Sequence, residues 1–394
     1  MSRILFTTQP AGGHLRPLVP IAQAALLRGH TVAVSAPACM AEELAGYRLP
    51  HLVGGYDWRY DVYRMLPKGY DRQDFAAAAD TFRALGEPLT RAFAGHVARR
   101  TAADILGHDW RPDLVVRELD EFGGYLAAEA LGVPHAAVIS FGGLDGVTGP
   151  VLGPVLDEGR RELGLPADPR GERLYRHLTA GFLPPELGAS ELMLPATRCY
   201  RHINAERAAD RLPSWLAGLD LSRPLVFAAF GTVVYGLPGS SRFVEEAIAA
   251  LGDVDCTAVL ALGAGADTHD AARKVPGNVR LVDFVDQALM LEGCDLFVTH
   301  GGLNSMKEAL RLGVPMVTVP VLDDHRHNAG LFAAAGLSRT VPLATANRRT
   351  MAHEIGRALA DPALRTAARR AQRHLHALPA LDTLVDDLEA LITR

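Results

Sequence analysis

The sequence of 394 residues carries one dense group of side chains suited to holding an anion: His300, Gly301, Gly302, Leu303, Asn304 and Ser305, followed by Glu308. The group begins where an apolar run ends and a helix-periodic run starts. Glycine at such a turn lets a ligand approach the backbone, and the first helical turn presents N–H groups that have no partner within the helix. The helix dipole adds about half a positive charge, and a histidine, an amide and a hydroxyl at the rim supply further donors, a set suited to a pyrophosphate. The same residues also read as an ordinary strand-to-helix turn capped by Asn304 or Ser305.

A second candidate is His14, which follows Gln9, Pro10, Ala11, Gly12 and Gly13 after the first apolar run. A neutral imidazole can take a proton near neutral pH when a carboxylate orients it and stabilises the imidazolium. Glu118, shortly after the apolar residues Leu114 to Val116, is the candidate carboxylate, with Asp120 and Glu121 as rivals. Taken alone, His14 also reads as a helix-terminal residue hydrogen-bonded to backbone. Asp323, Asp324, His325 and His327 are metal-ligand types, but histidines two apart diverge on a helix, so no metal is expected there. Cys39, Cys199, Cys256 and Cys294 are scattered without a C-x-x-C pair and read as reduced thiols.

These residues need parallel strands to position them. Arg3 to Thr7 predicts a strand, Leu18, Ile21, Ala22, Ala25 and Leu26 predict a helix ended by Gly29, and Thr31 to Ser35 predicts a second strand. That βαβ unit calls for a sheet covered by helices on both faces. The alternation resumes at Asp113 to Val116, Phe122 to Leu131 and His135 to Ile139. It begins again at Leu225 to Phe230 and runs through Leu303 to Leu312 and Met316 to Val319. Residues Tyr47 to Gly95 and Ser140 to Ala209 read as irregular, and the interdomain connection is expected near Ala196 to Arg223. The fold class is α/β with two similarly built domains, 1–205 and 206–394. A last helix at about 380–393 is free to pack back on the first domain.

A net charge of −5 lacks the basic surplus of a nucleic-acid binder or polybasic membrane anchor, so small molecules are the expected partners. No apolar run approaches the roughly 20 residues of a membrane span. The apolar stretch Ile4 to Phe6 is too short for a signal peptide, and a cytoplasmic location is expected.

The run from His300 to Asn328, HGGLNSMKEALRLGVPMVTVPVLDDHRHN, resembles the donor-binding signature of family 1 glycosyltransferases, nucleotide-sugar enzymes with two facing Rossmann-like domains in the GT-B architecture. The resemblance extends to AGGHLRPLVPIAQAALLRGHTVAVSAP, to PDLVVRE, to Phe230, Gly231 and Thr232, and to VRLVDFVDQ. It is closest in flavour to bacterial enzymes that decorate antibiotics and other natural products. It implies that His300 contacts the α-phosphate, that Asn304, Ser305 and the Gly301–Gly302 turn hold the β-phosphate, and that Thr232 approaches the pyrophosphate. Glu308 would bind the ribose, Phe284 would stack on the base, and the Val285 backbone would read the pyrimidine edge. Asp286 replaces the family's usual proline, and Asp324-His325 replaces the Asp/Glu-Gln pair that holds sugar hydroxyls.

The resemblance further implies that His14 is the general base and Glu118 its carboxylate partner. Tyr56, Trp58, Tyr60, Phe75 and Glu121 are acceptor-binding candidates, although the aromatics equally read as the packing of an irregular lobe. The implied reaction moves a hexose or deoxyhexose from a UDP- or TDP-sugar cosubstrate to a hydroxyl of a small-molecule aglycone. It proceeds with inversion and without metal or cofactor. The nucleotide, the sugar, the aglycone and the oligomeric state, a homodimer included, stay open. Two alternatives are a sugar-nucleotide epimerase or hydrolase on the same fold and a non-catalytic nucleotide-sugar-binding helper protein. A dehydrogenase is disfavoured because no G-x-G-x-x-G turn follows the first strand.

Overall fold

The computed structural model describes residues 1–142, 145–187, 194–205, 207, 211–220, 222–263 and 275–393. The chain divides into two compact units. One comprises Met1–Met65, Ala84–Ala209 and Ala377–Arg394, and the other Leu66–Arg83 and Asp210–His376.

The first unit is built on seven strands: β1 (Arg3–Thr7), β2 (Thr31–Ala36), β3 (His51–Val53), β4 (Leu114–Glu118), β5 (His135–Val138), β6 (Leu178–Gly181) and β7 (Thr197–Cys199). Their order is β3-β2-β1-β4-β5-β6-β7, with every neighbouring pair parallel. The central strands are mostly apolar because both faces are covered, and Ile4, Phe6, Leu114, Val116 and Ala136 are buried in one core. Placing β1 beside β4 sets Thr7 opposite Arg117, so the chain leaves both strands side by side.

The first helix is split into Gly12–Leu15 and Val19–Leu27, with Pro17, which has no N–H to continue the ladder, in the break. The C-terminal helix Leu381–Ile392 buries Leu381, Leu384 and Leu388 in the same core as Leu18 and Ala22 of the first unit. Among the described residues no helix is long and apolar enough to cross a membrane.

Two stretches that read as irregular are more ordered than their sequence suggests. Residues 47–95 contain β3 and the helices Arg59–Met65, Phe75–Arg83 and Gly86–Ala92. Residues 140–209 contain the helix Leu152–Glu162 and the strands β6 and β7. Strands of three or four residues are too short to show a period, and prolines nearby mask them. Because β7 completes the first sheet, the residues through Cys199 belong to that sheet and not to a connection.

The second unit has six strands: β8 (Leu225–Ala229), β9 (Thr257–Ala261), β10 (Val279–Val282), β11 (Leu296–Thr299), β12 (Met316–Thr318) and β13 (Ser338–Thr340). Their order is β10-β9-β8-β11-β12-β13, again parallel throughout. The helix Leu303–Leu312 follows β11 and ends on Gly313, whose φ of +69° suits glycine. Both units thus have the Rossmann-like form, with ligand-binding turns expected at the carboxyl ends of the strands.

Candidate active site

His14 lies on the short helix Gly12–Leu15 after β1, and Glu118 is the last residue of β4. The adjacency of these strands brings the two together. Nδ1 of His14 is 3.1 Å from Glu118 Oε2 and 3.4 Å from Asp120 Oδ1, so two carboxylates share one ring nitrogen. Glu118 is fully buried, and its Oε1 accepts a hydrogen bond from Ser140 Oγ.

Burial opposes charge on His14, but Glu118 and Asp120 overcome it and hold its pKa well above 6.5. Burial and the Asp120 charge push the Glu118 carboxyl up to about 8. Asp120 is also desolvated, yet His14 keeps it below its ordinary value. The pair therefore carries a single negative charge more readily than two. A proton on Nδ1, the nitrogen beside the two carboxylates, leaves Nε2 with the lone pair that can accept a proton. The same three donor atoms lie within 4.8 Å of one another, the one grouping among the described residues with spacing for a metal ion.

Ser140 and Gln9 were not singled out from the sequence. Gln9 donates to the Asp120 carbonyl at 3.0 Å and accepts from Trp58 Nε1 at 2.7 Å, which ties Trp58 to the His14 cluster. Both residues sit just beyond a parallel strand, and that position was the available signal.

The other candidates of the first half separate. Glu121 is buried and accepts from Thr7 Oγ1 and from the N–H groups of Gly123 and Gly124, so its carboxylate serves a helix N-terminus rather than His14 or an acceptor. Tyr56 packs edge-on against His96, and Trp58 lies tilted against Phe93. Phe75 corrects the acceptor expectation. It is buried in the core of the second unit, stacked on Phe243 with ring centroids 4.9 Å apart. The side chains of Tyr60 and Thr232 lie outside the described residues.

In the second unit, His300 follows β11 and is enclosed by glycines. A Cβ on Gly231, whose φ is +76°, would come within 2.9 Å of the imidazole, and one on Gly302 within 2.5 Å of Nε2. Gly301 has φ +90°, and Asn328 Nδ2 donates to its carbonyl at 2.9 Å. The His325 ring meets His300 edge-on at 4.5 Å. Burial and then His325 lower the His300 pKa to about 3, so it meets a ligand as a neutral N–H donor. The helix Leu303–Leu312 has Gly302 as its N-cap and no side-chain cap, which corrects the reading of a turn capped by Asn304 or Ser305. Its first-turn N–H groups are the donors an anion would use.

Gln287, also missed from the sequence, donates to Ser305 Oγ and to Glu308 Oε2, joining two of the predicted donor residues. It opens the helix Gln287–Glu292, which Asp286 caps by accepting from the Leu289 N–H at 2.8 Å. Asp286 thus has a structural use at the family's proline position. Phe284 is 55% exposed, whereas Val285 is buried. At the start of the helix Asp323–Ala334, His325 accepts from the Leu322 N–H at 3.1 Å, and its Nε2 stands 3.7 Å from Asp324 Oδ1. One nitrogen of His325 is therefore occupied by helix capping. Beside Glu308, Lys307 is fully buried, and desolvation lowers its pKa to about 7.

Residues 245–391 match the family model described as erythromycin biosynthesis protein CIII-like, C-terminal domain. The chain is 28% identical to tylactone mycaminosyltransferase of Streptomyces fradiae over 429 residues, covering 99% of this chain and 92% of the relative. It is similar in fold to the glycosyltransferase SnogD of Streptomyces nogalater, with a TM-score of 0.78, 24% identity and 99% of each chain covered. It is likewise similar to the glycosyltransferase SsfS6 of Streptomyces sp. SF2575, solved with thymidine diphosphate, with a TM-score of 0.78, 23% identity and 99% and 100% coverage. An EryCIII-like C-terminal domain and two parallel sheets in the GT-B fold identify the chain as a glycosyltransferase resembling those of antibiotic biosynthesis.

Proposed function

We propose that the chain transfers a hexose or deoxyhexose from a TDP-sugar to a hydroxyl of a natural-product aglycone, with inversion at the anomeric carbon. His14 Nε2 removes the acceptor proton, the acceptor oxygen forms its bond to the anomeric carbon, and the bond to the β-phosphate oxygen breaks, releasing thymidine diphosphate with the electron pair. Glu118 and Asp120 stabilise the imidazolium so formed. The observation that carries this reading is the double carboxylate contact on His14 Nδ1.

The first unit supplies the acceptor side and the second the donor side. The leaving diphosphate is stabilised by the N–H groups of the Leu303–Leu312 helix, by neutral His300 and by the turn at Gly301 and Gly302, so the reaction does not call for a metal. Asn304, Ser305 and Thr232 complete the phosphate contacts, Glu308 takes the ribose, and Phe284 and Val285 take the base. Asp324 meets the sugar hydroxyls. The thymidine diphosphate in the similar SsfS6 supports TDP over UDP.

The test pairs binding with turnover. TDP and UDP are titrated by thermal shift, where a ligand at 100 times its dissociation constant adds about 2.7 kcal/mol. His14→Ala should then lower transfer from a TDP-sugar to a polyketide aglycone by about 10² to 10⁴ while leaving TDP affinity nearly unchanged. Near-wild-type turnover by folded His14→Ala would remove the mechanism.

A further inference from the structure

The first unit holds a second concentration of charge at the amino ends of its strands, the edge opposite that from which His14 and Glu118 emerge. Residues just before β5 and β6, the end of the helix Leu152–Glu162 and the C-terminal helix enclose a cavity of about 490 Å³ there.

At its centre the buried Glu129 carboxylate accepts from Arg160 Nη1 at 2.8 Å and from Arg176 Nη2 at 2.5 Å, with Arg173 Nη1 at 3.9 Å. One carboxylate thus faces three guanidinium groups, all lining the cavity. The neighbouring Asp168 accepts from the N–H groups of Glu172 and Arg173, and Asp157 from the Asp168 N–H with Arg161 beside it, so the guanidinium groups still outnumber the carboxylates by one. Arg160 is almost fully buried and bonds Tyr125 and the Pro166 carbonyl, yet its Nη2 has no hydrogen-bond partner among the described residues.

Two histidines on this edge are held neutral, chiefly by burial. Burial, then Arg117, His177 and Arg176 hold His135 well below 6.5, and burial with Arg176 lowers His177. His177 Nδ1 accepts from the His135 N–H, so the neutral ring carries its proton on Nε2 as one more donor. The rest of the lining includes Val133, Leu165 and Leu391, an apolar wall beside the cationic one. Guanidinium groups at a wall of this kind match the planar geometry of an oxyanion.

We propose that this cavity binds a small organic oxyanion, whose head group pairs with Arg173 and Arg176 and whose apolar body rests against Leu165 and Leu391. The site is independent of the transferase reading. It is built wholly from the first unit, and none of its residues takes part in the proposed chemistry.

Phenyl phosphate, with inorganic phosphate as the bare head group, is titrated into the full chain by calorimetry at pH 7. A saturable site that persists in His300→Ala is expected. Arg173→Ala and Arg176→Ala should each weaken it at least tenfold, and Leu391→Ala should weaken phenyl phosphate more than phosphate. Arg173 is half exposed and only 3.9 Å from Glu129, so its removal leaves the Glu129–Arg160 pair in place, and circular dichroism verifies folding. His300→Ala separates this site from the donor turn, since binding here should survive it. Absence of saturable heat, or binding that His300→Ala abolishes while Arg173→Ala retains it, would overturn the proposal and leave the arginines as a structural ion-pair network.

Discussion

Nδ1 of His14 lies 3.1 Å from Oε2 of Glu118, a carboxylate with no exposed surface. Water cannot solvate that carboxylate, so its charge depends on His14, on Asp120 and on the hydroxyl of Ser140. An exposed histidine–carboxylate pair would be screened and worth little; this one controls the protonation of the ring.

The pH dependence of transfer should follow from that control. A base must be neutral, and the raised pKa of His14 keeps it protonated past the ordinary 6.5, so turnover should climb on the alkaline side of that value. Asp120→Asn removes the charge the pair holds most readily and Glu118→Gln the one it gains as pH rises toward 8, and both charges favour the imidazolium. Both substitutions should move the rising limb to lower pH, and Glu118→Gln should lower kcat by about 10² or more. Glu121→Gln should leave the limb in place, because Glu121 is engaged by Thr7 and a helix N-terminus. Rate–pH profiles and the NMR titration of His14 check this together.

Donor binding should depend on His300 and Glu308 but not on metal. His300→Ala removes a donor to phosphate and Glu308→Ala an acceptor for ribose. Each should cost about 1.5 to 3 kcal/mol, or roughly ten- to a hundredfold in TDP affinity by calorimetry. EDTA should leave activity intact. Loss of activity in EDTA with recovery on adding a divalent ion would contradict leaving-group stabilisation by the helix, and would direct attention to the donor atoms of His14, Glu118 and Asp120.

Asp324 and His325 should separate sugar recognition from helix capping. Asp324→Ala should impair transfer while sparing the affinity for bare TDP. His325→Ala removes the acceptor for the Leu322 N–H and the ring against His300, so it should lower stability by about 1 kcal/mol and also weaken TDP. His325→Gln can keep an acceptor for that N–H, should retain more stability, and should change the ranking of sugar donors. Equal losses for all donors in His325→Gln, with unchanged ranking, would assign the residue to capping alone.

Lys307 should be a stability cost that varies with pH. Its folded pKa of about 7 lies below the ordinary 10.5, so the penalty of burying the ammonium is fully present below 7 and fades as pH approaches 10.5. Lys307→Met should therefore raise Tm over the wild type most at acidic and neutral pH, with the gap narrowing toward pH 10. A gap that is constant across that range would remove burial of charge as its cause.

Local patterns within the sequence determined much of this protein. The helix Leu303–Leu312 has the bounds its apolar spacing and flanking glycines predict, and the strands β1, β4, β8 and β11 fall on their apolar runs. Such elements are set by contacts within a few residues, so a short window carries their signal. The His300 turn was legible for the same reason, its glycines and polar residues being contiguous. The tertiary structure alone decided which distant groups meet. It set β1 beside β4, which places Glu118 and Asp120 on one nitrogen of His14, and it turned Glu121 to a helix N-terminus. It drew Phe75 into the core around Phe243 and laid Gln287 between Ser305 and Glu308. These pairings depend on sheet order and on the space left between packed elements, and no window of neighbouring residues encodes either.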